Sequence, residues 1–124
     1  MSPRSEELMA SARDRLAAAR ATVEGGFHSA ATSAAYYAML YAARAALSEE
    51  DRNAKTHAGT WALFRETMVT SGRIDESLFS EVHRIQQLRE ATDYDALMIP
   101  PEEAERIVLL AERFLALVVR ALEA

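Results

Sequence analysis

The stretch from Ala30 to Leu47 constrains the fold more than any other part of the chain. Fifteen of its eighteen residues are apolar, and the exceptions are Thr32, Ser33 and Arg44. Much of the stretch is alanine and tyrosine and Arg44 lies inside it, which argues against a membrane-spanning segment. A helix that is apolar on all sides is instead typical of the centre of a helical bundle. We therefore expect the other elements to surround this segment.

The remaining composition favours helices around that centre. The chain has 124 residues, enough for one hydrophobic core, and half of them are apolar. Four glycines and three prolines are too few for the many turns of a β-sandwich or a barrel. Alanine, leucine, arginine and glutamate, all good helix formers, are abundant. The composition predicts a single helical domain over residues 1–124.

The spacing of apolar residues at three and four predicts five helices. Gly25-Gly26 and Ser71-Gly72 mark turns, and Thr56 and Asp75 are suitable helix caps. The predicted helices cover about residues 5–24, 28–48, 56–70 and 75–92, and a fifth begins at Pro100-Pro101. Residues 49–54 and 95–99 are predicted to be loops. Short connections between amphipathic helices indicate an all-α fold, an antiparallel up-and-down bundle of four to five helices.

Charge and residue types exclude several classes of function. The net charge is −5, so contact with RNA would depend on a local basic patch. The absence of cysteine excludes disulfides and thiolate chemistry, and the three histidines lack the spacing of metal ligands. We therefore expect neither a metal nor a cofactor. The polar N-terminal residues 1–7 contain no apolar signal-peptide core, which favours a cytoplasmic protein without a membrane partner.

Arg89 breaks the apolar pattern of the fourth predicted helix. At about 100° per residue, it lies in the middle of the face that carries Leu78, Val82 and Ile85. A buried arginine without a partner costs several kcal/mol, so Arg89 needs a partner or a cleft. The partner is either Asp93, one turn further along the helix, or the phosphate of a bound RNA. Position alone leaves both interpretations open.

His57 poses the same question in the third predicted helix. It shares a stripe with Trp61, Phe64 and Met68, so its ring points inwards or into a groove. A single histidine on an apolar face is more often a hydrogen-bonded core residue than a catalytic group. Lys55 lies beside it near the positive end of the helix, which favours an anion site.

The second predicted helix carries a polar seam along its apolar surface. The seam consists of Ser33, Tyr37, Tyr41 and Arg44. Tyrosines in a core usually use their hydroxyl groups to bond a neighbour. Structural support for Arg89 or Arg44 is therefore the simplest role for Tyr37.

Three segments resemble the small prokaryotic HEPN proteins (higher eukaryote and prokaryote nucleotide-binding domain). Residues 33–47, SAAYYAMLYAARAAL, are similar to their central helix, and residues 55–59, KTHAG, resemble the start of the next conserved segment. Residues 89–95, REATDYD, resemble their arginine-led motif, which ends in Asp-Tyr. The order and spacing agree over nearly the whole chain.

The resemblance implies an antiparallel helical bundle that forms a homodimer, with the arginine motifs of two subunits near one cleft. Many members are metal-independent endoribonucleases that act as toxins, and RNA rather than DNA is their target. They are commonly paired with a minimal nucleotidyltransferase, which acts as antitoxin and can attach adenylate to a tyrosine of the motif. Tyr94 is the candidate for that modification in this chain.

The chain departs from the family pattern after Arg89. The family motif has four to six residues between the arginine and a histidine, whereas in this chain no histidine follows Arg89 and the motif continues with Asp93 and Tyr94. RNA cleavage at a 2′-hydroxyl requires a base and a group that stabilises charge on the phosphate. Arg89 can supply the second, and His57 or Asp93 would have to supply the first. Arg89, Lys55 and Arg44 are the candidate phosphate ligands.

Three functional hypotheses follow from these residues. The first is a toxin-like, RNA-cleaving partner of a nucleotidyltransferase. The second is a non-catalytic module that binds a nucleotide or a partner in the same cleft. The third is a structural dimer in which the pair of Arg89 and Asp93 only fixes the geometry.

Overall fold

The computed structural model describes all residues from 1 to 124 and contains only helices. Their bounds are α1 Pro3–Glu24, α2 His28–Glu49, α3 His57–Phe64, α4 Glu76–Asp95 and α5 Pro101–Glu123, with a π-helical turn Arg65–Val69 directly after α3. The predicted all-α bundle is confirmed. No helix is both long enough and apolar enough to cross a membrane.

The apolar helix α2 lies at the centre of the bundle, as its composition predicts. It packs against α1, α3, α4 and α5. Twelve of its 22 residues are buried, and seven of these are alanines, whose small side chains allow the neighbouring helices to approach closely. The core is completed by an aromatic group of Trp61, Phe64, Phe79 and Phe114, with neighbouring ring centres 5.6–6.4 Å apart.

The helix ends follow the local chemistry, with differences from the sequence prediction. Gly26 has a φ of +85°, the left-handed conformation that suits the predicted turn between α1 and α2. The hydroxyl of Thr56 accepts a hydrogen bond from the backbone N–H of Gly59, at 2.9 Å, so the predicted cap of α3 is confirmed. Asp75 precedes α4, but its carboxylate accepts from the hydroxyl of Ser77 and caps no backbone group.

Two boundaries were wrong in the sequence prediction. The segment predicted as one helix to residue 70 changes at Phe64 into the π-helical turn, which no residue pattern announced. The fourth helix continues beyond the predicted end at Thr92 to Asp95, and Ala96 then adopts a left-handed φ of +54°. Asp93 and Tyr94 are therefore on the last turn of the same helix as Arg89.

Candidate functional site

Arg89 reaches the bundle centre from α4, and its side chain is only 11% exposed. The central carbon of its guanidinium lies 4.9 Å from the ring centre of Tyr36 and 5.6 Å from that of Tyr37. One terminal nitrogen donates to the Asp93 carboxylate at 2.6 Å. The Nε atom is buried and has no acceptor. The ion pair considered from the sequence is thus present, and it leaves part of the guanidinium without a protein partner.

Tyr36 joins Arg89 to the start of α3. Its side chain is fully buried, and its hydroxyl accepts a hydrogen bond from Nε1 of Trp61 at 3.1 Å. The same hydroxyl lies 3.3 Å from Nδ1 of His57. Burial raises the pKa of Tyr36, although the Trp61 hydrogen bond and the charge of Arg89 act in the opposite direction. The hydroxyl therefore stays neutral and orients the imidazole.

His57 is half-buried at the first position of α3, with its ring 5.8 Å from that of Tyr36 and 5.6 Å from that of Tyr37. Burial, followed by the positive charges of Arg89 and Arg44, lowers the pKa of His57 below its ordinary value. The imidazole is accordingly neutral at pH 7 and can accept a proton. We call Tyr36, Tyr37, His57, Arg89 and Asp93 the Arg89 cluster.

Tyr36 was missing from the candidate residues that the sequence provided. The sequence pattern indicated Tyr37 instead, because Tyr37 shares a side of α2 with Tyr41 and Arg44. The ring of Tyr37 lies 5.6 Å from the guanidinium carbon of Arg89, whereas the hydroxyl that reaches His57 belongs to Tyr36. The signal was the adjacent Tyr36-Tyr37 pair itself, since neighbouring positions on a helix face different partners.

Asp93 and Tyr94 lie at the accessible edge of the cluster. The Asp93 side chain is 43% exposed while it holds Arg89, and Tyr94 is 84% exposed. Since Tyr94 directly follows Asp93 in the last turn of α4 and is this exposed, its hydroxyl is accessible to another molecule.

Lys55 and Arg44 line a different surface from Arg89. Both belong to an open cleft of about 950 Å³ where the start of α1, the end of α2 and the following loop meet. We call it the basic cleft; its charged lining residues are Arg4, Arg44, Asp51, Arg52 and Lys55. The predicted phosphate ligands are thus divided between this cleft and the Arg89 cluster. After burial and Arg89, the positive charge of Arg44 also contributes to the lowered pKa of His57.

The titratable residues of the chain form no metal site. No three histidine or acidic side chains come close enough to hold a metal ion. Arg89 lies beside the Asp93 carboxylate and, like His57, against the side chain of Tyr36.

Comparison with known proteins agrees with this helical arrangement. The family model of the HEPN domain matches residues 5–122. The chain belongs to the HEPN family. The match includes every residue of the Arg89 cluster and most of the basic cleft. The family resemblance drawn from the three sequence motifs is therefore confirmed.

Curated relatives of this HEPN chain come from prokaryotes. "UPF0332 protein glr0978" of Gloeobacter violaceus is 30% identical over 112 residues, which cover 90% of this chain and 89% of that protein. Two proteins of Methanocaldococcus jannaschii are named "Putative toxin MJ0142" and "Putative toxin MJ0605". They are 31% and 32% identical and cover 89% and 95% of this chain, with 76% and 88% of their own lengths matched. The names of these two relatives support a toxin-like HEPN protein.

Proposed function

We propose that this HEPN protein is the toxin-like component of a toxin–antitoxin pair and that it cleaves RNA at the Arg89 cluster without a metal. The observation that carries the proposal is the position of Arg89 and His57 against the same tyrosine, Tyr36. The buried side chain of Tyr36 thereby holds both Arg89, the cation for the phosphate, and His57, the neutral base for a hydroxyl proton. The names of the Methanocaldococcus relatives support the toxin-like part.

The cluster suits transfer of a phosphodiester to the neighbouring 2′-oxygen. His57 takes the proton of the 2′-hydroxyl, and the bond from the 2′-oxygen to phosphorus forms. The bond from phosphorus to the 5′-oxygen breaks, and the leaving oxygen takes a proton from a water molecule, to which the protonated His57 then returns one. Arg89 stabilises the extra charge on the phosphate oxygens. The products are a 2′,3′-cyclic phosphate and a 5′-hydroxyl.

A non-catalytic nucleotide-binding module is the second candidate. The pairing of Arg89 with Asp93 favours it, because the carboxylate already compensates part of the charge that a phosphate needs. In that case the cluster holds a phosphate and breaks no bond. The phosphate would bind the guanidinium nitrogens that Asp93 does not use, so the ion pair between Arg89 and Asp93 need not break.

The first test is RNA cleavage by the purified protein in the presence of a chelator. We expect the wild type to produce 2′,3′-cyclic phosphate ends, and Arg89→Ala and His57→Gln to lower the rate at least about 100-fold. Arg84→Ala is the matched control, since Arg84 lies on the same helix and pairs with Glu103 on the outer surface. It is expected to cleave at the rate of the wild type.

Two results would contradict the nuclease proposal. If the wild type binds RNA but leaves it intact, the non-catalytic module replaces the enzyme. If Arg84→Ala loses as much activity as Arg89→Ala, the effect belongs to helix α4 and not to the cluster.

Ultracentrifugation of the same preparations tests the homodimer, which we propose as the active form. A monomer that still cleaves RNA would exclude the homodimer as the active form.

We also propose a nucleotidyltransferase as antitoxin and Tyr94 as its target. The tyrosine oxygen attacks the α-phosphorus of ATP, pyrophosphate leaves, and adenylate remains on Tyr94 beside Asp93. Support comes from the 84% exposure of Tyr94, which directly follows Asp93 of the Arg89 cluster in the chain. We expect a bulky, charged adenylate at this position to weaken RNA binding at the cluster.

Mass spectrometry after incubation with ATP and a minimal nucleotidyltransferase of the antitoxin type tests the modification. We expect one adenylate in the tryptic peptide that contains Tyr94, and none in Tyr94→Phe. The buried or half-buried Tyr36, Tyr37 and Tyr41 serve as internal controls. Adenylate that persists in Tyr94→Phe would assign the modification to another residue.

A further inference from the structure

The basic cleft is an exception in an acidic protein. The whole chain has a net charge of −5, yet the lining of the cleft contains four cations, Arg4, Arg44, Arg52 and Lys55, and one carboxylate, Asp51. Ligand sites commonly have volumes of about 300–1,000 Å³, and the cleft has about 950 Å³. It attracts anions locally in spite of the repulsion expected from the overall charge.

Two of these cations have no carboxylate partner. Eight of the thirteen arginines form ion pairs, including Arg4 with Glu7 and Arg52 with Glu66. Arg44 and Lys55 form none. An arginine that remains unpaired in a chain with an excess of carboxylates leaves its charge available to an external anion.

Arg44 is also held in place without being neutralised. Its guanidinium carbon lies 5.4 Å from the ring centre of Tyr41, and its Nε atom is buried without an acceptor. A second cation contacts the same ring, since the guanidinium carbon of Arg15 lies 4.3 Å from the ring centre of Tyr41. The tyrosine ring therefore fixes a cation at the wall of the cleft, which lowers the conformational cost of binding an anion there.

The cleft and the Arg89 cluster are separate surfaces, but both include residues from one side of α2. Tyr37 contacts Arg89, Tyr41 lines the cleft, and Arg44 follows three residues later. Tyr37 and Arg44 are seven residues apart, which corresponds to about 10 Å along a helix axis. An extended nucleic-acid strand can contact both places at once, because grooves for single strands combine cations with aromatic side chains.

We propose that the basic cleft is a second phosphate-binding site, which holds the backbone of a single-stranded RNA beside the Arg89 cluster through Arg44 and Lys55. This inference rests on the proposed function only for the identity of the ligand, a strand of RNA. The site itself rests on the lining charges, the unpaired cations and the fixed position of Arg44. Its contacts position the strand and carry no information on base sequence.

Binding of a fluorescent 2′-O-methyl RNA, followed by anisotropy at several salt concentrations, tests this site. The methylated strand lacks the hydroxyl needed for cleavage, so binding is measured separately from any nuclease activity. We expect the double variant Arg44→Gln, Lys55→Gln to bind about tenfold more weakly and to reduce the salt slope by about 1 to 2. Thermal unfolding of each variant checks that the fold is retained.

The matched control is Arg113→Gln, Arg120→Gln. These two arginines lie exposed on α5, make no ion pair, and line a smaller cleft of about 570 Å³ elsewhere on the surface. The control changes the net charge by the same amount, and we expect its affinity to stay within about twofold of the wild type. Equal weakening by both double variants would overturn the proposal, because overall charge would then explain the binding.

Competition with ATP and inorganic phosphate distinguishes the sources of the phosphate. If ATP binds with a dependence on Arg44 and Lys55 but the RNA does not bind, the strand is excluded and the proposal fails in its stated form. If neither binds, the site itself is refuted. If the methylated RNA binds through Arg44 and Lys55 but unmodified RNA remains uncut, this inference holds and the nuclease proposal fails.

Discussion

Tyr36 is the single side chain on which the geometry of the candidate site depends. Its ring supports Arg89, and its hydroxyl contacts both Trp61 and His57. The environment of His57 is consequently determined by residues of α2 and α4, although His57 begins α3. A neutral base beside an arginine is a property of this junction of helices and not of any sequence motif.

The pKa of His57 reports directly on that junction. The charge of Arg89 is one of the causes that lower this pKa, so we expect Arg89→Ala to raise the pKa of His57 towards its ordinary value of 6.5, with burial still holding it lower. NMR titration of the imidazole measures the change. Arg84→Ala should leave the pKa unaltered. If the pKa of His57 is unchanged in Arg89→Ala, the charge of Arg89 does not act on His57 and the prediction is wrong.

The sign of the associated pH effect on stability follows from the same direction. The native state releases the His57 proton at a lower pH than the unfolded chain does. The contribution of His57 to the free energy of unfolding therefore falls as the pH drops below about 6.5, because the unfolded state binds the proton first. In Arg89→Ala this particular loss should be smaller.

The position of His57 also depends on how helix α3 begins, because His57 is its first residue. Thr56 caps the helix through the N–H of Gly59, and a Cβ added at Gly59 would meet the Thr56 hydroxyl at 2.8 Å. The eight-residue helix has no acidic residue in its first turn, so this cap is its main local stabilisation.

We expect Thr56→Ala to lower the free energy of unfolding by about 1 kcal/mol, because one N–H of α3 loses its acceptor. Asp75→Ala is the matched comparison at the start of α4. The Asp75 carboxylate bonds Ser77 and no backbone group, so its loss should matter less. Urea unfolding followed by circular dichroism measures both. Equal losses would show that the Thr56 hydrogen bond contributes nothing specific.

Helix ends show where sequence reasoning stops at this scale. The turn at Gly25-Gly26 and the cap at Thr56 could be predicted, because backbone conformation and capping are local properties. The π-helical turn Arg65–Val69 and the extension of α4 to Asp95 depend on what the segments pack against, which no local pattern contains. Asp75 occupies the cap position, but its carboxylate accepts a hydrogen bond from the hydroxyl of Ser77 instead of from a backbone N–H.

Over the whole molecule, the all-α bundle with α2 at its centre could be predicted because apolar composition and helical period agree along the chain. Arg89 on an inner face was equally readable from the period of α4. The separation of Lys55 and Arg44 from Arg89 was not, since the distance between residues on different helices depends on the packing. Tyr36 was overlooked for the same reason.

The central position of α2 also bears on how the chain becomes native. The contact between α1 and α2 is local in sequence and can form early, whereas the contact between α2 and α5 joins distant segments. During synthesis α5 emerges last of the five helices, so the α2 surface that it covers stays open until then. A ribosome-bound chain that stops before Pro101 therefore presents an uncovered apolar helix, the kind of surface that chaperones recognise.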